Sequence, residues 1–429
     1  MPPSQFLLWE RSIGSIGWHH EPAKVSPDSD HMGAPQTASA FPSWLILIGA
    51  MTALGPFSID MYLPGFPQIE AEFNESGVER TMAAYLAGIA IGQLFYGPVS
   101  DRLGRKPPLY AGLLLYALGA LGCALARSMW MLMAMRVVQA IGGCAALVIG
   151  RAIVRDRCEP HEAARAFSTL MLVVSVGPIV APSLGGWVIT ILNWRAVFIF
   201  QFVAGLALLL AMHALLTESL VRKSGSMLRF ASAALDYWRL LQDRSLVGYS
   251  LVSAFGMSAL FCYVTGAPKV MMGLYGLTPQ QFGWVIGLNG LAFMSASRIN
   301  VLLLRRRTPE VLVRKSVWMP LGMGILMTLI AAVQARPPLP LLIVLQLLFF
   351  VSVARIGPNV SALALASHGR NAGAASAVMG ALQSLVPMAA GIAVAAYGNG
   401  TVLTLGILMT IAVLLSALSY LWARVQRFP

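Results

Sequence analysis

Twelve apolar stretches, each long enough to cross a lipid bilayer as a helix, constrain this chain more than any other feature. Such runs recur at about 44–66, 81–99, 108–126, 129–151, 166–191, 196–216, 245–267, 281–303, 316–335, 339–361, 372–398 and 401–422, and a transmembrane helix needs about 20 mainly apolar residues. Charged residues make up only 11% of the 429, against about 25% in soluble domains. An all-α integral membrane protein of twelve transmembrane helices is therefore predicted. The longest gap, 217–244, contains Arg222, Lys223, Arg229, Arg239 and Arg244 and divides the spans into six and six. The expected organisation is a disordered cytoplasmic tail over 1–40, a six-helix bundle over 41–216, a basic cytoplasmic linker over 217–244 and a second bundle over 245–424. The two bundles are expected to be related by a pseudo-two-fold axis.

The net charge of +13 would suggest a nucleic-acid partner in a soluble chain. In a membrane chain it reflects cationic cytoplasmic loops. Of the 30 Lys and Arg, 21 fall in the tails and even-numbered loops, and only Arg80, Arg127, Arg195, Lys269 and Arg336 fall in odd-numbered ones. The bias predicts both termini in the cytoplasm, a multi-pass protein of the inner (cytoplasmic) membrane, and no nucleic-acid partner. Residues 1–20 lack the basic start and cleavage site of a signal peptide, and Met1 and Met32 stand as alternative translation starts. The protein is expected to act as a monomer.

A charge at the bilayer centre costs several kcal/mol, so an ionisable group within a span is by default functional. Asp60 is the one acid that falls inside an apolar run. Arg136 in the fourth run is its expected partner, because counting residues at the helical rise sets both roughly 10 Å below the outer boundary. Arg151, Arg298 and Arg355 lie towards cytoplasmic span ends, where long cationic side chains snorkel, and His213 is expected at the interface. Cys123, Cys144, Cys158 and Cys262 show no ligand spacing, so neither disulfides nor a metal site is expected. No HExxH pattern, nucleophile–base set or GxxxxGK[ST] loop occurs. A membrane-embedded enzyme and ATP drive are not expected, and the cofactor set is none.

Between the second and third runs the chain reads Gly97, Pro98, Val99, Ser100, Asp101, Arg102, Leu103, Gly104, Arg105, Lys106, Pro107. This loop resembles the signature Gly-x-Leu-x-Asp-x-x-Gly-Arg-Lys/Arg of the major facilitator superfamily, with Val99 at the Leu position. Arg136, Val137, Val138 and Gln139 are similar to its fourth-helix Arg-x-x-Gln-Gly, with Ala140 in place of Gly. Gly177, Pro178, Ala181, Pro182, Gly185 and Gly186 resemble its antiporter motif Gly-Pro-x-x-Gly-Pro-x-x-Gly-Gly. Asp60, Met61, Tyr62, Leu63 and Pro64 resemble the Bcr/CflA drug-resistance branch, as do Asn193, Trp194 and Arg195 with Phe198, and the segment 372–377.

The resemblance implies a two-bundle transporter that exports drugs or metabolites in exchange for protons. Its partners would be a small-molecule substrate, protons and the lipid bilayer, and its drive the proton gradient. Asp60 would titrate, with Arg136 as modulator. Asp101, Arg102 and Arg105, with Gly97, Gly104 and Lys106, would form a cytoplasmic latch. Thr52 stands where some related antiporters carry a second acid, which favours a one-acid mechanism.

Small residues repeat every four positions at Gly177, Ala181 and Gly185, at Gly283 and Gly287, at Ala84, Gly88 and Gly92, and at Gly373, Ala377 and Ala381. Such stripes let helices approach closely. In the resembled fold they would join spans five with eight and two with eleven, with Pro178 and Pro182 kinking a pivot in span five. Tyr62, Gln93, Gln201, Phe255, Asn289, Gln346 and Gln383 are the polar and aromatic candidates for a substrate cavity. The alternative functions are a narrow-spectrum amino-acid transporter, an organic-anion facilitator and, remotely, a membrane enzyme.

Overall fold

The computed structural model describes residues 42–220, 230–366, 368 and 372–424. The tail over 1–40, Met32 and the Arg222, Lys223 and Arg229 part of the linker lie outside the described residues. The first half supplies α1 (Ser43–Asp60), α2 (Phe66–Phe73), α3 (Arg80–Leu103), α4 (Lys106–Ala124), α5 (Met129–Arg157), α6 (Pro160–Ile191) and α7 (Trp194–Leu215). After α8 (Phe230–Gln242) come α9 (Arg244–Pro268), α10 (Pro279–Leu304), α11 (Pro309–Ser316), α12 (Trp318–Val333), α13 (Leu339–Val353), α14 (Ile356–Leu365), α15 (Ala372–Tyr397) and α16 (Val402–Arg424). Among the described residues eleven helical stretches are long and apolar enough to cross a membrane, and α6 adds a shorter apolar section, Val176–Ile191.

Three of the crossings are broken, each at the same offset from a proline. Proline has no N–H to give the carbonyl four residues earlier, and its ring crowds that carbonyl. Pro64 ends α1 at Asp60, Pro320 ends α11 at Ser316, and Pro358 breaks the tenth crossing at Ala354, between α13 and α14. After Asp60 the chain makes a 3-10 turn, Leu63–Gly65, and continues as α2 until Asn74 turns left-handed at φ 50°. The first crossing therefore runs Ser43–Phe73, longer than the expected 44–66. That helical stretch carries Glu70 and Glu72 as well as Asp60. The ninth crossing likewise starts early, at Pro309.

Helices pack within halves first. In the first, α1 lies against α5, α6 and α7, α3 against α5, and α4 against α5 and α7. In the second, α9 lies against α14, α15 and α16, and α12 against α13 and α16. The halves meet through α6 with α10 and α3 with α15, and through the 3-10 turn, which touches α9 and α10. Those are the two helix pairs the resemblance implied. The residues that make them match the expected stripes only in part: Gly283 and Gly287 do meet α6. Gly177 and Gly185 face α1, against Pro56 and the Met61 carbonyl, while Gly88 and Gly92 face α5. It is Gly186, with the Pro182 and Ile179 carbonyls, that meets α10, at Pro279, Gly283 and Gly287. Successive residues differ by about 100° around a helix, so adjacent positions of one glycine-rich stretch serve two neighbours.

The linker is not wholly irregular. Its end forms α8, which packs on α9 and α15 and leaves Leu235, Trp238 and Leu241 exposed.

A Cβ at Gly185 would strike the Met61 carbonyl oxygen, whereas nothing lies within 4 Å of one at Gly322. Gly185→Ala is expected to destabilise the purified protein by about 1–3 kcal/mol, the usual range for forced overpacking. Gly322→Ala should leave the melting temperature unchanged.

Candidate functional site

Asp60 is the last residue of α1, placed at the break that Pro64 imposes, and is buried at 7% exposure. Pro56 abuts Gly177 and Met61 abuts Gly185, which sets Asp60 level with the Pro178 and Pro182 stretch of α6. Among the described residues its carboxylate forms no ion pair, and the expected partnership with Arg136 is not made in this conformation. The reason lies two residues further on. Met61 and Tyr62 keep near-helical dihedrals, so Asp60 and Tyr62 project about 200° apart. Tyr62, not Asp60, takes the face towards Arg136.

Arg136 is fully buried in α5. Its guanidinium carbon lies 4.4 Å from the ring centre of Tyr62, 4.2 Å from that of Tyr85 and 5.7 Å from that of Phe198. Nη1 donates to Gln139 Oε1 at 2.8 Å, and Gln139 Nε2 donates to Gln201 Oε1 at 2.7 Å. Gln201 in turn donates to the Phe57 carbonyl at 3.3 Å. Ring quadrupoles stabilise a desolvated guanidinium, which lets a cation reside here without an acid. Nε and Nη2 have no hydrogen-bond partner among the described residues, so this cation retains two donors for an anionic group. Arg136→Lys keeps the charge but loses the planar stack, and is expected to cost about 2 kcal/mol or more. Thermal melting and transport of that variant check it.

The remaining candidates fall into separate places. Tyr62 shares a hydrogen bond with Thr81 at 2.9 Å, within the first half. Asn289 on α10 donates to the Tyr263 hydroxyl at 3.4 Å, and Gln346 on α13 is also buried in the second half. Gln93 reaches across the halves to Ser384 at 3.4 Å and lies against Gly380. Gln383 donates to Ser253 at 2.9 Å, and Phe255 is half-buried on α9.

At the basic end of the molecule, the loop after α3 is organised by Arg105, which is 5% exposed. Nη1 donates to Asp101 at 2.5 Å and to Ser100 at 2.9 Å, and Nε donates to Asp156 at 2.7 Å. Burial works against its charge, but Asp156 and Asp101 outweigh it and hold the guanidinium above its ordinary pKa. Glu218, just after α7, accepts from the Arg105 and Lys106 amides at 2.9 and 3.0 Å. Gly104 turns at φ +96°, where a Cβ would strike the Glu218 carboxylate. Lys106 lies over the Tyr110 ring and donates to the His213 carbonyl. Arg102 makes no ion pair among the described residues, and Gly97 has open space around it. Asp156 and Glu218 were not singled out from sequence. They lie 51 and 113 positions from Arg105, and no local spacing signals them.

The opposite end has its own acid clamp. Trp194 Nε1 donates to Glu72 at 2.8 Å, and Arg195 pairs with the same carboxylate. This ties α2 to the start of α7.

Residues 48–393 match the profile of the Major Facilitator Superfamily. The chain is 34% identical over 350 residues to the uncharacterized MFS-type transporter YdgK of Bacillus subtilis, covering 79% of this chain and 85% of that one. It is 28% identical over 382 residues to a bicyclomycin resistance protein homolog of Haemophilus influenzae, covering 88% and 95%. Its fold matches the crystal structure of a bacterial homologue of the human lysosomal transporter Spinster, in an inward-facing and unoccupied conformation. That likeness has a TM-score of 0.69 at 15% identity, over 89% of this chain and 96% of that one.

Proposed function

Because the chain belongs to the major facilitator superfamily, whose members are transporters and not enzymes, we propose that it is a proton-coupled antiporter exporting drugs or small metabolites from the cytoplasm. In this reading twelve helices form two six-helix bundles related by a pseudo-two-fold axis. Both termini and the Arg105 loop face the cytoplasm, as the distribution of basic residues requires. The observation that carries the reading is Asp60: a buried, unpaired carboxylate at a helix break, level with the proline-bearing part of α6. Such a group binds and releases a proton as its surroundings change, and the proline breaks give the surroundings a way to change. The likeness to a bicyclomycin resistance protein homolog supports drugs as the exported class.

Alternating access follows from where the halves touch. α3 meets α15 at Ala83 with Gly391 and at Gln93 with Gly380, while a Cβ at Gly373, nearer the basic end, would meet nothing within 4 Å. Contact that runs from the outer end to mid-helix, with open space at Gly373, supports a conformation open towards the cytoplasm. Rocking about the α6–α10 and α3–α15 contacts would then open the outer side. Arg136 acts through Tyr62, whose ring it holds two residues from Asp60. The Arg105 loop joins α3, α4, α5 and the segment after α7 as one rigid corner.

Everted membrane vesicles with an acidic interior are expected to accumulate cationic or neutral test compounds, and a protonophore should abolish the accumulation. A second reading, a facilitator of organic anions, draws on the two unpaired donors of Arg136. Uptake of anions alone, only to equilibrium and unaffected by protonophore, would establish that reading instead.

A further inference from the structure

Glu79 and Lys269 face each other across the two halves at the outer end. Glu79 immediately precedes α3, and its Oε1 lies 2.7 Å from Lys269 Nζ. Lys269 begins a π-helical turn, Lys269–Leu274, that follows Pro268 at the end of α9. Single π turns in α-helices occur frequently at functional sites. The same ammonium lies 3.4 Å from Glu70 Oε1 on α2.

The two acids are not equivalent. Glu70 Oε1 already accepts from the Gly77 and Val78 amides at 2.7 and 3.3 Å, so its charge is fixed to the loop. Glu79 is 1% exposed, and its Oε2 is buried without a hydrogen-bond partner among the described residues. It borders a small cavity shared with Gly266, Lys269, Val394, Gly400 and Thr401. A buried carboxylate with one cation beside it and one oxygen left unpartnered is costly to keep charged.

We propose that Glu79 is a second proton-accepting residue that gates the outer end of the transporter, holding it shut through Lys269 when ionised and releasing it when protonated. The proposal rests on the alternating-access reading above but assigns Glu79 no part in carrying protons across. A proton from the external medium adds to the Glu79 carboxylate, the ion pair is lost, and Lys269 keeps its charge beside Glu70. The proton returns to the same medium when the end closes again.

The surroundings favour that cycle. Burial pushes the Glu79 carboxyl above the usual carboxylate range, and Lys269 and a backbone hydrogen bond oppose this without cancelling it. It therefore takes up a proton at higher pH than an exposed glutamate. The charged groups packed around it are Glu70 from α2, Lys269 from the π turn, and Arg80, whose guanidinium lies against Gly77. The α16 side contributes only the hydroxyls Thr401 and Thr404.

The test is a distance measured between spin labels on Arg127→Cys and Gln334→Cys, exposed outer positions of the two halves. The background has Cys123, Cys144, Cys158 and Cys262 replaced by Ala. Wild-type Glu79 is expected to give a short distance at mildly alkaline pH that lengthens on acidification. Glu79→Gln should give the long distance at every pH, and Lys269→Met likewise, while Glu70→Gln should retain the pH response. Asp60→Asn should also retain it, which separates failure of the gate from failure of the Asp60 assignment. If folded Glu79→Gln keeps the wild-type distances and titration, or if the response disappears in Asp60→Asn, the gate does not reside at Glu79.

Discussion

Replacing Asp60 by Asn is expected to abolish proton-driven transport while leaving substrate exchange intact. Asparagine matches the carboxylate in size and keeps its hydrogen-bonding oxygen, so the break between α1 and the 3-10 turn should survive. What is lost is the ability to exist in two charge states. An antiporter without that ability has no means of linking proton release on one side to substrate release on the other. In reconstituted liposomes, labelled-substrate exchange against unlabelled substrate should continue, whereas accumulation driven by a pH gradient should fall to the level of protein-free vesicles. Asp60→Glu retains titration at the cost of an extra methylene in a packed site, and should keep part of the driven transport. If Asp60→Asn still accumulates substrate against its gradient, the titrating group lies elsewhere.

The second large effect is expected at Arg105. Its guanidinium is buried between Asp101, Ser100 and Asp156, and truncation leaves the Asp156 carboxylate without its cation. Removing one partner of a mostly buried charge pair typically costs about 3–5 kcal/mol; the exposure of Asp101 puts Arg105→Ala at the lower end of that range. Transport should fall with it, because α3, α4 and α5 lose their common anchor.

Glu218 offers a pH-resolved check on the same corner. Burial disfavours its charge, but the amides of Arg105, Lys106, Leu220 and Ser219 outweigh this and hold its carboxyl below the usual range. A carboxylate lowered in the folded state contributes stability above its unfolded pKa and loses it as pH falls through the folded value. Glu218→Gln should therefore melt below wild type at neutral pH. The gap should close as the pH is taken below the ordinary carboxylate range.

The helical, membrane-crossing character was legible because it depends on run length and composition, which sequence displays directly. The loop after α3 was legible through Gly104 and Arg105, since a left-handed turn and a basic pair leave a local mark. Their partners were not, because Asp156 and Glu218 are brought in by the packing of α5 and α7. The small-residue stripes showed close packing but not against which neighbour: Gly185 and Gly186 are adjacent yet meet α1 and α10 respectively. The helix that continues to Phe73 was not legible, because an apolar count stops at Gln68. Pro64 was the available signal for the break, since its missing N–H points back to Asp60. Glu79 looked like an ordinary loop acid, and only tertiary packing buries it.

The most direct measurement is proton flux in liposomes that contain the purified wild-type protein and a pH-sensitive dye, on addition of a transported compound. Substrate moving down its own gradient is expected to drive protons in the opposite direction, in a fixed ratio, with no flux in the absence of substrate. Substrate movement with no accompanying proton movement would contradict proton-coupled antiport and identify a facilitator.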